Sequence, residues 1–277
     1  KIMTKSRNKL TFVFKKTNEL SDKEINQIND LFNFTFKEQL EKPRSREQFR
    51  LKYLNNFMNF SFHGLMLNET QQLVGCYNVI PYEFMFFSKK KIFGQSVDTT
   101  IHTDYKGNIY NLKKLASIVY ENLQKAGTSF VYGLANEKFY LVKKKVLRWD
   151  DIGKLNYYVL PINVKNFSRV FYFINSLLFI FIKLLIKIKV KSKGQYHFDI
   201  FKIYNDNFHS GRYDDSHQIL EEKEYKVIFK EINHKKYNRA KIVYIIDVLP
   251  LSKINVESGE TSHRLNISEP ATPLYTA

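Results

Sequence analysis

A short turn, Lys106–Asn108, joins a predicted strand to a predicted helix and has the residue types of an anion-binding site. In the strand, Val97, Thr99 and Ile101 alternate with polar residues. From Ile109 onward the apolar residues recur with helical spacing instead. The first N–H groups of a helix lack partners within it and lie at the positive end of its dipole, so such a turn can hold a phosphate. The alternative is an ordinary strand-to-helix connection that binds nothing.

Two titratable residues, Asp98 and His102, belong to the same predicted strand. Strict alternation places both on one face of the strand, about 13 Å apart at ~3.3 Å per residue. At that separation they cannot hydrogen-bond to each other, but either could take a proton from a substrate through a water molecule. The alternative for each is a polar side chain that bonds to a neighbouring residue.

Length and composition indicate a globular protein with an anionic partner. The chain has 277 residues, of which 44% are hydrophobic and 16% aromatic, enough for one large or two modest domains. Its net charge of +17 favours nucleic acid, a polyphosphate cofactor or an acidic membrane surface, unless the lysines only solvate the surface. A single cysteine, Cys76, provides neither a disulfide framework nor a thiolate zinc site, and the histidines lack metal-ligand spacing. We therefore predict no metal, and a cytoplasmic protein because residues 1–16 lack the apolar core of a signal peptide.

The N-terminal half alternates predicted strands and helices. A strand over 10–14 precedes a capping box, Ser21–Glu24, that opens a helix, and a second helix is predicted over 46–57. Three short strands follow at 63–67, 72–79 and 83–87, with Pro81 between the last two and Lys89–Lys91 as a solvated turn. After the helix that ends before Gly127, a strand at 130–132 leads to another helix that opens at Asn136. A final strand starts at Asp150 and ends before Pro161.

The segment 170–186 is unusually apolar and is followed by lysines at positions 187, 189, 191 and 193. It barely reaches the ~30 Å of a bilayer core, and Lys183 makes a transmembrane span costly. Two interpretations stay open: a helix lying on an anionic membrane surface, or an apolar connecting helix. Beyond it, residues 196–256 form a smaller α+β piece, and residues 257–277 have the composition of a loose tail.

The order of these elements resembles that of the GNAT (Gcn5-related) N-acetyltransferases. The stretches VDTTIHTDYKGNIYNLKKLA, FVYGLANEKFY and VLRWDDIGKL resemble GNAT proteins of bacterial surface-polysaccharide biosynthesis. The resemblance implies an α+β (α/β) fold with a mixed central sheet flanked by helices. It places a GNAT acyltransferase domain over 1–162, a connecting or membrane-surface helix over 163–195 and a partial second GNAT-like lobe over 196–256, before the tail at 257–277.

The same resemblance implies acetyl-CoA, or another acyl-CoA, as cofactor. In the family the loop reads Arg/Gln-x-x-Gly-x-Gly/Ala, and here Lys106 matches its first position, whereas Ile109 and Asn111 replace the two small residues. Asn136 matches an asparagine near the pantetheine arm, and Tyr140 falls one helical turn later, near the thioester sulfur. The implied cofactor-binding residues are Ile101, His102, Thr103, Lys106, Gly107, Asn108, Ile109, Tyr110, Asn136 and Tyr140.

The implied reaction is attack of an amine on the thioester, which needs a base, an oxyanion donor and an acid. Asp98 and His102 are the candidate bases, and Tyr140 is the candidate acid unless it is a packing residue. A backbone N–H of the fourth strand would hold the oxyanion. The expected acceptor is an amino sugar or similar amine, with or without a nucleotide or lipid link, met at the inner membrane face through 170–193.

Two other functions stay open. Because Ile109 and Asn111 depart from the family's loop, the chain could instead be a non-catalytic binding or scaffold protein that keeps the fold without the cofactor. Nucleic-acid binding is the third class, but the lysine runs follow no evident groove, so the sequence does not favour it.

Overall fold

The computed structural model describes residues 9–38, 40, 42–134, 137–153, 177, 180, 181, 184, 200–203, 213, 216–221, 225–233 and 241–250. By internal contacts the chain divides into two units. The first contains residues 1–151 and 199–213 and holds a six-stranded mixed sheet. The second contains residues 152–198 and 214–276, whose described part includes a three-stranded antiparallel sheet.

Five strands of the first sheet follow one another in chain order, β1-β2-β3-β4-β5. Strands β1 to β4 are antiparallel to their neighbours, whereas β4 and β5 are parallel and are joined through helix α3. The strands are β1 (Thr11–Lys16), β2 (Phe62–Leu67), β3 (Leu73–Phe86), β4 (Lys89–Ile101) and β5 (Thr128–Tyr132), and the helices are α1 (Asp22–Phe36), α2 (Arg46–Leu54), α3 (Ile109–Lys125) and α4 (Glu137–Val146).

Strand β3 is longer than the sequence predicts and passes straight through Pro81. We predicted that Pro81 separates two strands, and this is wrong: Pro81 pairs with Gly94 of β4. On its other side, pairing with β2 ends at Val79 and pairing with β6 (Ile200–Lys202) begins at Phe84. The proline therefore lies where only one neighbouring strand is present, and a missing N–H is tolerated there.

The lysines at 89–91 belong to β4 and do not form the predicted turn. The turn lies one step earlier, at Phe87 and Ser88, whose φ angles are +45° and +62°. Two consecutive left-handed residues make the tight hairpin that matches the twist of the flanking strands. The lysine side chains are exposed along the edge of the hairpin, so their solvation was predicted correctly but their conformation was not.

The predicted helical stripes form the two cores, one on each face of the sheet. Serine 21 and Glu24 form the predicted capping box, and α1 packs with α2 on one face. On the other face α3 lies on the sheet, closely enough that a Cβ on Gly64 would come within 2.8 Å of the Leu115 carbonyl oxygen. Gly127 ends α3 with a φ of +78°, as predicted for a left-handed helix end. The buried side chains of α3 are Asn111, Leu112, Leu115, Ala116, Val119 and Leu123.

The second sheet consists of β7 (Gln218–Glu221), β8 (Tyr225–Asn233) and β9 (Lys241–Pro250), in that order. Strand β6 lies in the piece that we assigned to the second lobe, yet it pairs with β3 because the edge of β3 beyond β2 is otherwise open. The other predicted domain boundaries stay predictions. Most of segment 163–195, most of the strand predicted over 150–160 and the tail at 257–277 lie outside the described residues.

No helix within the described ranges is long and apolar enough to cross a membrane. Four described residues of the apolar segment, Leu177, Ile180, Phe181 and Leu184, are helical and are between 55% and 68% exposed.

A buried histidine, His63 of β2, makes the first unit sensitive to acid. Its ring nitrogens lie 2.8 Å from Thr17 Oγ1 and 2.8 Å from Asn78 Oδ1, and the side chain is fully buried against Phe49 and Tyr53. Burial lowers the pKa of His63 from 6.5 to about 4. The folded state therefore keeps the imidazole neutral where the unfolded chain would already protonate it.

We predict that the free energy of unfolding falls by about 2 kcal/mol between pH 6.5 and pH 5 because of His63 alone. The sign follows from the lowered pKa: below pH 6.5 protons bind the unfolded chain first. Urea denaturation at the two pH values measures the loss. A His63→Gln variant, in which every other histidine remains as an internal control, should lose about 2 kcal/mol less over this range. If the free energy of unfolding of that variant falls with pH as steeply as that of the wild type, the effect does not come from His63.

Candidate functional site

Strands β4 and β5 separate after a short paired region and leave a fork beside β5, the last strand of the described sheet. Their pairing runs from Ile92↔Thr128 to Gln95↔Tyr132, where β5 ends. Strand β4 continues for six residues, Ser96–Ile101, four of which pair with β3 on the other side. Within the described chain, the edge of β4 that faces the fork thus has backbone N–H and C=O groups without a strand partner. Such an edge can bind an extended ligand through its backbone.

The path of β4 beside the fork is set by a bulge at Asp98. Asparagine 78 pairs with Val97 and Cys76 pairs with Thr100, so three steps along β4 face two steps along β3. Asp98 has a φ of +46°, a left-handed conformation that costs on the order of 1 kcal/mol or more for a residue other than glycine. The Asn78 amide donates a 3.1 Å hydrogen bond to the Asp98 carbonyl oxygen and holds the bulge in place.

The carboxylate of Asp98 is held by three side chains from outside the strand. Arg44 Nη1 lies 2.7 Å away, Lys52 Nζ 2.8 Å and the Tyr53 hydroxyl 2.6 Å from Oδ2. Burial alone would raise the pKa of Asp98, but Lys52 and Arg44 outweigh it and hold the pKa at about 2. A carboxylate this acidic is a poor proton acceptor at neutral pH.

These contacts support the alternative interpretation of Asp98, a polar side chain bonded to its neighbours. The bulge interrupts the alternation from which we placed Asp98 and His102 on one face of the strand. Both side chains nonetheless contact the layer of α1 and α2, Asp98 through Lys52 and Tyr53 and His102 through Phe34. Sequence periodicity cannot reveal a bulge, because the extra residue is recognised only from the register of the partner strand.

His102 follows the last residue of β4 and is half-buried. Its ring stacks on Phe34 at a centroid distance of 5.1 Å, and its Nδ1 accepts a 3.4 Å hydrogen bond from the Asp104 N–H. Among the described residues, its Nε2 has no hydrogen-bond partner. Of the two candidate bases, Asp98 and His102, only His102 therefore remains, and its role stays a prediction.

The turn after His102 presents consecutive backbone amides to solvent. Gly107 has a φ of +96°, and a Cβ added there would meet nothing within 4 Å. The Asn108 side chain caps helix α3 by accepting a 3.0 Å bond from the Tyr110 N–H. The amides of Gly107, Asn108 and Ile109 make no hydrogen bond to the described part of the chain. Three neighbouring free donors at a helix N-terminus form an anion-binding arrangement.

The two residues that depart from the family's loop, Ile109 and Asn111, differ in burial. Ile109 and Tyr110 are 56% and 66% exposed, whereas Asn111 points into the core and is 6% exposed. The other predicted cofactor residues lie close along the chain: Ile101 ends β4 opposite Gly75, and Thr103 and Lys106 flank a short 3-10 turn on the surface. Asn136 lies outside the described residues.

Tyr140 lies on α4 and is 38% exposed. Its hydroxyl donates a 2.8 Å hydrogen bond to Asp151 Oδ2 and accepts a 3.2 Å bond from Lys144 Nζ. Lys144 also forms an ion pair with Asp151, so the three side chains make one surface cluster. In this structure the Tyr140 hydroxyl is bonded on the surface, and its predicted role as the acid stays untested.

Sequence reasoning did not single out Lys143, which is buried at the fork. Its Nζ lies 3.3 Å from Ser96 Oγ, in the first residue of β4 beyond the paired region. In the sequence, Lys143 is only a lysine at a helical position one turn from Tyr140, and a surface lysine could equally occupy that position.

Comparison with known proteins finds similar chains among solved structures only. No protein-family model matches the sequence, and no curated protein matches it. Solved structures do match. The chain is similar to an acetyltransferase of Trypanosoma brucei, with 15% identity over 54% of this chain and 100% of that one, at a TM-score of 0.41.

Two further similar structures are also acetyltransferases. Glucosamine-6-phosphate N-acetyltransferase from Arabidopsis thaliana shares 13% identity over 53% of this chain and 98% of that one, at a TM-score of 0.40. A predicted acetyltransferase from Clostridium acetobutylicum, solved with acetyl-CoA, shares 14% over 54% of this chain and 97% of that one, at a TM-score of 0.43.

These matches span about half of the chain. Three features define the fold of this part of the chain. They are the strand order, the crossover through α3, and the separation of the parallel strands β4 and β5 after the antiparallel strands β1–β4. The described first unit thus has a mixed sheet flanked by helices, the architecture that the sequence resemblance implies.

Proposed function

We propose that the chain is an acyl-CoA-dependent N-acyltransferase, with acetyl-CoA as the expected donor. The observation that carries this proposal is the fork between β4 and β5, which opens beyond Gln95 and Tyr132. From there β4 continues to Ile101 and leads into the turn with the free amides of Gly107–Ile109. An extended pantetheine arm fits a strand edge with free backbone groups, and a diphosphate fits the helix N-terminus.

In this proposal the amine nitrogen attacks the thioester carbonyl carbon. A C–N bond forms, the C–S bond breaks, and the sulfur leaves with the electron pair as a thiolate. A free N–H of β4 stabilises the oxyanion of the tetrahedral intermediate, because it is already oriented and needs no reorganisation. His102 takes the proton from the amine through its unpartnered Nε2.

The acceptor in this proposal is an amino sugar or a similar amine, linked to a nucleotide or a lipid. Two things support it: the resemblance of the motif stretches to surface-polysaccharide enzymes, and the net charge of +17, which attracts a phosphate-bearing acceptor. The alternative, a non-catalytic scaffold that keeps the fold without the cofactor, rests on Ile109 and Asn111, which depart from the family's loop.

A peripheral membrane contact is part of the proposal as well. Leu177, Ile180, Phe181 and Leu184 have the i, i+3, i+4, i+7 spacing of one helical face and are all exposed. Lysines at 183, 187, 189, 191 and 193 lie in the same part of the sequence, as in helices that bind anionic lipid surfaces.

We predict that Ile109→Pro weakens acetyl-CoA binding about tenfold or more. Proline suits the first residue of a helix and the extended Asn108 before it, so the change removes one N–H donor while the helix is kept. A lost hydrogen bond to a charged group is worth about 1.5–3 kcal/mol. Isothermal titration calorimetry measures the dissociation constant.

Two control variants sharpen this measurement. Asp22→Pro makes the same change at the first residue of α1 and should bind as wild type, and Ile109→Ala keeps the N–H and should bind more tightly than Ile109→Pro. No heat from the wild-type protein at millimolar acetyl-CoA would favour the scaffold. Equal affinity of the two Ile109 variants for acetyl-CoA would show that the diphosphate does not bind at this turn.

We predict that His102→Gln lowers the turnover rate about 100-fold and changes the affinity for acetyl-CoA little, because the base acts in the chemical step. Thiol release from acetyl-CoA, with glucosamine 6-phosphate and a nucleotide-linked amino sugar as acceptors, measures the rate. Wild-type turnover in the variant would assign the proton transfer to another group.

We predict that the full chain sediments with vesicles that contain phosphatidylglycerol and not with pure phosphatidylcholine vesicles. Phe181→Glu places a charge on the apolar face and should reduce the bound fraction severalfold. Phe87→Glu, at an equally exposed phenylalanine of the hairpin turn, should not. Absence of the wild-type protein from the anionic pellet would rule out the membrane contact.

A further inference from the structure

A buried lysine lies where strands β4 and β5 separate. Lys143 of α4 is only 5% exposed, and its Nζ lies 3.3 Å from Ser96 Oγ. A Cβ added to Gly133, the residue after β5, would lie 2.9 Å from the same nitrogen. Since Ser96 and Gly133 follow the last strand pair, Gln95↔Tyr132, the ammonium lies at the base of the fork.

The surroundings of Lys143 offer little to balance a charge. Its ammonium lies 4.2 Å from the Trp149 ring centroid and 5.9 Å from that of Phe139. No carboxylate of the described residues lies within ion-pair distance of it, and Asp151, which follows α4, pairs with Lys144 at the surface. Burial lowers the pKa of Lys143 to about 8. A buried cation without an anion costs free energy, so packing alone does not account for it.

The lysine is fixed in place by the end of α4. Arg148 adopts a left-handed φ of +58°, and the Trp149 N–H donates back to the Lys143 carbonyl oxygen at 3.3 Å. The Trp149 indole N–H donates a 3.0 Å bond to the Tyr120 hydroxyl, which lies 2.7 Å from that of Tyr77. A chain of hydrogen bonds from β3 and α3 thereby holds the Trp149 ring over the ammonium.

We propose that Lys143 Nζ is the proton donor to the departing thiolate of CoA; this rests on the proposed function. As the C–S bond breaks, the electron pair passes to sulfur, and a proton moves from the Nζ ammonium to the thiolate. The neutral lysine regains its proton from solvent or from the proton released by the attacking amine. Ser96 Oγ accepts a hydrogen bond from the ammonium and orients it into the fork.

This geometry assigns to Lys143 the acid role that the sequence resemblance implies for Tyr140. The Tyr140 hydroxyl is bonded to Asp151 and Lys144 on the surface, whereas the Lys143 ammonium is desolvated at the fork. An opposite charge within about 4–6 Å lowers the pKa of an acid by about 1–3 units. The pKa of the thiol of bound CoA therefore reports on Lys143, and no acceptor needs to be present.

The test follows the ultraviolet absorbance of the thiolate while CoA bound to the full chain is titrated with base. The bound thiol of the wild-type complex should ionise at least about one pH unit below free CoA, with an apparent pKa that belongs to the thiol–lysine pair. In Lys143→Met the shift should disappear, and in Lys143→Arg, which keeps the cation, it should persist. Lys145→Met, at an exposed lysine two residues away, should retain it.

Desulfo-CoA separates a failure of this inference from a failure of the proposed function. It should bind the wild-type protein and Lys143→Met equally, because it has no thiol to meet the ammonium. If neither CoA nor desulfo-CoA binds the wild-type protein, both the proposed function and this inference are contradicted. If CoA binds without a shifted thiol pKa, or the shift survives in Lys143→Met and vanishes in Tyr140→Phe, only the role of Lys143 is overturned.

Discussion

The ion pairs of Asp98 with Arg44 and Lys52 fix the strand on which the candidate site is built. They join the segment between α1 and α2, helix α2 and the C-terminal part of β4 in one partly buried contact. Tyr53 and Asn78 complete it by holding the carboxylate and the carbonyl group of the same residue. Removing one partner of such a cluster leaves an uncompensated buried charge, which is far more destabilising than the loss of a surface ion pair. The left-handed backbone of Asp98 can therefore persist, and β4 keeps its bulge.

The rest of the site depends on that strand. Past the bulge, β4 delivers His102 and the turn of free amides to one end of the sheet, and before it Ser96 meets Lys143 at the fork. The donors for a diphosphate are backbone groups, and the donors for an oxyanion would be backbone groups too. A protein can place such groups only by fixing the path of the chain, which here requires the buried contacts around Asp98.

Much of the fold could be predicted because local signals agreed with the tertiary structure. The capping box at Ser21, the apolar stripe of α3 and the glycine that ends it depend on neighbouring residues only, and all three are confirmed. The features that were missed depend on partners far along the chain. Pro81 is tolerated inside β3 because two other strands leave a gap there, and β6 joins the first sheet for the same reason.

The candidate site, too, could be predicted only in part. The turn at Lys106–Asn108 was found from its spacing, since the helix start lies in the sequence itself. The bulge could not be found, because only the register against β3 reveals it. Lys143 was missed because nothing in the sequence distinguishes a lysine that enters a fork from one that faces water.

A crystal structure of the protein with acetyl-CoA tests the central claim most directly. The account predicts a diphosphate within hydrogen-bond distance of the amides of Gly107, Asn108 and Ile109, with the pantetheine arm in the fork beyond Gln95 and Tyr132. Acetyl-CoA bound elsewhere on the chain, or a fork closed by continued pairing of β4 with β5, would contradict it.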